Sequence, residues 1–240
     1  MTDEPTPTRR PRGTRLGTAG GLATADLFSP PLLSILATTV LLNLALLLGL
    51  WFGIRYLLEE TTFFSAGWLE WIVDTLGGLA SVALLLILFP ALATMILGMF
   101  LDSAASKVAR RHYPWLPAGR DQPFGEMLAE TVRFLAVMVV ANLIALPVYL
   151  FVPALNVVVF YALNGYLIGR EYFELVAVRY LPGPEARRLR ARNRIPIFLA
   201  GVLVTLGLSI PFLNLVVPLW ATALMVHVTA GILPDLRTEA

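Results

Sequence analysis

Asn156 and Asn214 stand at matching places in two copies of one apolar pattern. The first copy reads Pro153-Ala-Leu-Asn156-Val-Val-Val; the second, 58 residues on, reads Pro211-Phe-Leu-Asn214-Leu-Val-Val. Each lies in a stretch without Asp, Glu, Lys or Arg, residues 134–169 and 195–234. Proline removes a backbone donor and asparagine competes for backbone groups, so each copy should interrupt a helix. The asparagine oxygen is then placed to accept an N–H from the first turn of the following arm. The remaining N–H groups and the positive helix end would attract an anion. For either asparagine alone, a satisfied turn without a ligand is the plainer alternative.

Other residues could add chemistry to these breaks. Arg170 and Glu174 are spaced i,i+4 at the end of the first apolar stretch, where an ion pair or a headgroup anchor is expected. His227 is the only titratable group inside the second stretch. It reads either as a proton relay or as a neutral histidine bonded to a neighbouring helix, since no carboxylate or second histidine lies at helical spacing. His112 sits in the surface segment and is expected to have no ligand partner. The run Arg187, Arg188, Arg190, Arg192, Arg194 suits anionic lipid, at about 1 kcal/mol per basic residue. A topology signal explains it equally well.

Elements of membrane length must position these residues. Apolar residues make up 58% of the chain and charged residues 14%, with a mean hydropathy of +0.76. That composition lies outside the soluble range. Cysteine is absent, which excludes disulfides and thiolate metal sites. Residues 1–25, rich in Pro, Thr, Gly and Arg, should form a disordered tail. Residues 26–234 read as one helical membrane domain, followed by a short tail at 235–240. Ser29-Pro30-Pro31 opens a long helix reaching about Leu58, too long for a signal segment. A second charge-free run covers Thr75 to Leu101, with a kink expected at Pro90. Between them lies an acidic loop with Glu59, Glu60, Glu70 and Asp74 and the aromatic residues Phe63, Phe64, Trp68 and Trp71. Residues 102–133 interleave basic and aromatic side chains and suit an amphipathic surface helix.

Two interrupted hairpins follow, at roughly 131–170 and 195–233. Between them, a helix to about Leu181 and a short basic helix from Glu185 are separated by Pro182-Gly183-Pro184. Basic residues cluster in the tail, between Lys107 and Arg133, and from Arg170 to Arg194. None falls between Tyr56 and Ser106. The positive-inside rule therefore puts both termini in the cytoplasm and returns each hairpin to its starting side. Hairpin arms of 16 to 22 residues leave two alternatives open: partial penetration, or six spans of a thin membrane. Paired interruptions in corresponding places are a recognised pointer to a substrate site in a membrane.

Motifs for hydrolases, zinc proteases and nucleotide-binding loops are absent, so no enzyme and no cofactor are expected. Nor does the basic surface suit nucleic acid.

At several of these residues the chain resembles the CysZ-type sulfate permeases and the related etoposide-induced-protein family. The likeness is carried by Ser209-Ile-Pro-Phe-Leu-Asn-Leu-Val-Val-Pro218 with Ala221 to His227, by Val152-Pro153 through Tyr166, by Arg170-Glu-Tyr-Phe-Glu174, and by Leu27-Phe-Ser-Pro30. Order and spacing agree over about residues 26–233. The resemblance implies an all-α integral membrane fold with two long transmembrane helices, two broken, hemi-penetrating hairpins and amphipathic surface helices, assembled as a homo-oligomer. It further implies sulfate uptake across a bacterial inner membrane. One departure stands out. Where the family carries a Glu-containing segment associated with sulfate, this chain has Leu101-Asp-Ser-Ala-Ala-Ser-Lys107, in which Ser103 and Ser106 would be the oxyanion donors. The expected substrate site is thus Asn156, Asn214, Arg170, Ser103 and Ser106, with membrane lipid as a further partner.

Overall fold

The computed structural model describes residues 15–59, 88–89, 92–93, 95–120, 122–210, 213–214 and 216–233. Helices account for the regular structure, and no strand occurs among the described residues. In chain order they are α1 (Leu16–Leu27), α2 (Pro30–Glu59), α3 (95–112), α4 (Phe124–Phe151), α5 (Asn156–Ala177), α6 (Gly183–Arg192), α7 (Arg194–Leu208) and α8 (Val217–Ile232). The chain divides into two compact units, residues 33–101 and a larger one formed by residues 1–32 with 102–240. The acidic loop with its aromatic residues, Pro90, most of the run 75–101, Pro211 and the C-terminal tail lie outside the described residues.

Among the described residues, two helices are long and apolar enough to cross a membrane, Pro30–Ile54 within α2 and α4. Their apolar side chains stay largely uncovered: Leu41, Phe52, Ile144 and Phe151 are each more than half exposed. Water would not solvate such faces, so lipid or another subunit must. The protein is a multi-pass, all-α membrane protein, as its composition indicates.

Four sequence expectations are corrected. Residues 16–25, expected in a disordered tail, belong to α1, whose Ala19 and Ala23 are fully buried and which packs on α8. Their small side chains lower hydropathy yet allow two helices to approach closely. The first arm of the first hairpin is not a 19-residue segment but the 28-residue α4, with Pro147 inside it. At about 1.5 Å per residue it measures roughly 42 Å, more than the hydrocarbon thickness. Length therefore no longer argues for partial penetration there, whereas α7 and α8, roughly 22 and 24 Å, remain short. Residues 124–133, read as surface helix, are the beginning of this same α4. The connector helix ends at Ala177 rather than about Leu181, followed by a turn.

Both expected interruptions exist. Between α4 and α5, Val152 leaves helical geometry at φ −132° and ψ 68°, and Pro153–Leu155 forms one 3-10 turn. Between α7 and α8 the chain turns through Ser209 and Ile210, and Val216 N–H donates to Leu213 O at 2.9 Å. Pro218 sits in the first turn of α8, where its missing N–H costs nothing. The polar α6 meets the apolar α7 at 91° across Asn193, a corner between a basic segment and an apolar arm.

Glycines set the α5–α7 crossing. A Cβ on Gly201 would lie 2.0 Å from Gly165 O and 2.6 Å from Gly169 N. Only hydrogen fits there, and Gly165-x-x-x-Gly169 forms the small-residue groove that α7 enters. Helix α8 packs against α1, α5 and α7. Its residues Val217–Ala230 are buried apart from Trp220, which makes it the centre of the larger unit.

Candidate functional site

Arg170 is 2% exposed on α5. Its Nε donates to Glu174 Oε1 at 3.1 Å, the expected i,i+4 pair. The guanidinium lies over the Phe134 ring, 5.5 Å from the centroid. Arg190 Nε comes within 3.2 Å of the same Glu174 oxygen, an ion pair without a well-aligned hydrogen bond. Arg170 Nη2, although buried, has no hydrogen-bond partner. A buried guanidinium with an unspent donor is an anion-seeking group.

The expected companions of Arg170 lie elsewhere. Asn156 does not cap α5; it is the first residue of that helix, already in αR geometry. Its Nδ2 instead donates across the break to Tyr149 O at 3.3 Å, and its Oδ1 is buried without a partner. Because the 3-10 turn runs straight into α5, the helix start needs no separate cap. Asn156 and Arg170 are 14 residues apart on one helix, roughly 21 Å at about 1.5 Å per residue. They cannot hold the same small anion, which corrects the expectation of one shared site. Asn214 is exposed in the turn before α8. Ser103 is half-buried on α3. Ser106 donates to Asp102 O at 3.0 Å and accepts from Arg179, which also pairs with the Asp102 carboxylate.

A charge network joins the surface elements. Arg120 grips Glu126 through two bonds of 2.9 and 2.7 Å and also donates to Val178 O and Leu181 O. Glu126 in turn accepts the Gly183 N–H at 2.8 Å, fixing the start of α6. The Glu126 hydrogen bond outweighs burial and holds the Arg120 guanidinium pKa above its ordinary value. Arg187 pairs with Glu130. Thus Arg187 and Arg190, expected to face lipid, turn toward carboxylates, while Arg188, Arg192 and Arg194 are exposed. A cleft of about 670 Å³ opens beside this network. Its walls carry Asp102, Glu130, Glu171 and Glu174 against Arg120 and Arg179. Asp102, Glu130 and Glu174 are each paired with arginine, so the cleft itself carries no surplus positive charge to attract a free anion.

A second polar centre is buried around α8. His227, fully buried, has Nε2 2.9 Å from Asp26 Oδ2 and Nδ1 2.8 Å from the Tyr113 hydroxyl. His112 Nε2 lies 2.8 Å from Asp26 Oδ1, and Arg111 Nη1 lies 3.4 Å from the same oxygen. The carboxylate accepts, so each imidazole donates from Nε2 and His227 Nδ1 receives the Tyr113 O–H. The reading of His227 as lacking a carboxylate or second histidine holds only within its own helix; both come from α1 and α3. Likewise His112 is not partnerless.

Comparison with curated proteins returns no match. The family model for Sulfate transporter CysZ/Etoposide-induced protein 2.4 matches residues 21–218, from α1 into the start of α8. The chain belongs to the Sulfate transporter CysZ/Etoposide-induced protein 2.4 family.

Proposed function

We propose that this protein carries a small oxyanion, sulfate first, across a bacterial inner membrane, without hydrolysing ATP itself. The family match over residues 21–218 is the observation that carries this reading. Two features of the chain support it. Interrupted apolar hairpins are the membrane architecture in which backbone donors reach a substrate. Arg170 adds a fixed positive charge with one N–H edge unused, on the helix that packs most extensively against α7. The anion-contacting group is Arg170 at the far end of α5, with the breaks at Asn156 and Asn214 as separate stations along the path. The basic clusters support cytoplasmic termini by the positive-inside rule, and the uncovered apolar faces of α2 and α4 suit lipid and further copies of the chain.

Radiolabelled sulfate uptake into vesicles holding the purified protein tests the reading. Uptake above protein-free vesicles, competed by unlabelled sulfate, is the expected result; none removes the transport reading. The exposed Arg188, Arg192 and Arg194 at the α6–α7 corner favour a second reading, a protein that organises anionic lipid. That reading predicts vesicle binding lost when all three become glutamine, with no sulfate uptake in any variant.

A further inference from the structure

We propose that Asp26, His112 and His227 form a binding site for one divalent metal ion of the zinc class, independent of the transport reading. One carboxylate oxygen and two imidazole nitrogens, drawn from α1, α3 and α8, all lie within 4.8 Å of one another. Two imidazoles and a carboxylate are a common protein donor set for zinc, leaving a fourth position for water. Zinc–donor distances of about 2.0–2.2 Å put neighbouring tetrahedral donors roughly 3.3 Å apart. His112 Nε2 lies 2.8 Å from Asp26 Oδ1 and His227 Nε2 2.9 Å from Oδ2, each about half an ångström short of that spacing, and no two of the three donors are more than 4.8 Å apart.

The surroundings fit this use. His227 and Asp26 are buried, so the ion would displace little water there, while His112 keeps a quarter of its side chain exposed. A cavity of about 300 Å³ has Asp26, Ser29, Pro30, Lys107 and Arg111 in its lining. Tyr113 holds His227 Nδ1. With metal on Nε2, the ring proton moves to Nδ1 and donates to the Tyr113 oxygen, which orients the ligand from behind. Arg111 and Lys107 oppose a cation electrostatically. The Arg111 side chain, 53% exposed, is free to swing outward and give up its place beside Oδ1.

Spectroscopic titration of the full-length, chelator-stripped protein in detergent with Co2+, followed by Zn2+ displacement, decides the matter. The site predicts one Co2+ per chain with the visible absorption of a tetrahedral N/O centre, removed by Zn2+. Tyr113→Phe should weaken binding about 10–100-fold, His112→Gln should weaken it further, and Arg111→Gln should strengthen it. His227→Gln should abolish the signal. If that buried variant fails to fold by size-exclusion chromatography, His112→Gln at the exposed side carries the test. No saturable Co2+ signal in the wild type, or one unchanged in His112→Gln, overturns the proposal.

Discussion

Among the described residues, Asp26 has the hydrogen-bond partners furthest along the chain. Its two oxygens hold His112 and His227, 86 and 201 positions away, at 1% exposure. Removing a buried charge that accepts hydrogen bonds typically costs about 1.5–3 kcal/mol. Asp26→Asn in chelator-treated protein should therefore lower the melting temperature markedly, read by fluorescence in detergent. An unchanged melting point would mean that the cluster holds nothing together. His227 was legible in sequence as a histidine bonded to a neighbouring helix, but its partner was not. Helical spacing reports only groups three or four positions away, and a carboxylate on another helix leaves no local mark. Arg170 was legible as an i,i+4 pair with Glu174. Its burial was not, because that depends on Phe134 and α6 closing over it.

Helices succeed or fail as contacts between faces. Gly201→Leu would drive a side chain into the α5 backbone at Gly165 and Gly169. Overpacking ordinarily costs 1–3 kcal/mol, and a clash with backbone at 2.0 Å should reach at least the top of about that range. The variant should elute as aggregate in size-exclusion chromatography where the wild type is monodisperse; a monodisperse variant of unchanged melting point would contradict the crossing. Glu126→Gln tests the surface network in another way. It removes the charge that Arg120 and the Gly183 N–H share, and should cost about 1–3 kcal/mol. The same heat-unfolding assay reads this, and no loss would show that α6 is seated without it. The start of α2 at Pro30 and both interruptions could be read directly, since proline leaves an unambiguous local signal. The spacing Gly165-x-x-x-Gly169, not among the sequence expectations, is a small-residue signal that marks helix contacts in apolar stretches. Helix α1 could not be read so, because its small residues gain helicity from packing on α8 rather than from their own hydropathy.

For the whole molecule, composition sufficed to give class. An apolar fraction of 58% with 14% charge cannot be buried inside a chain of this size, and α2 and α4 accordingly keep their apolar faces uncovered. The proposed anion path was less legible, because the residues expected to form one site are spread over α3, α5 and the turn before α8. The proposed path rests instead on a buried guanidinium with an unused donor in a chain of the Sulfate transporter CysZ/Etoposide-induced protein 2.4 family. Initial-rate uptake of labelled sulfate, compared between wild type and Arg170→Gln in vesicles of matched protein content, puts this most directly to the test. Arg190 still pairs with Glu174 in the variant, so its fold should persist, as its melting point would verify. Saturable wild-type uptake that falls about tenfold or more in Arg170→Gln, the loss of roughly one charged hydrogen bond, is the predicted result. Wild-type uptake no faster than in protein-free vesicles, or equal uptake by both proteins, would contradict the assignment of Arg170 to an anion path.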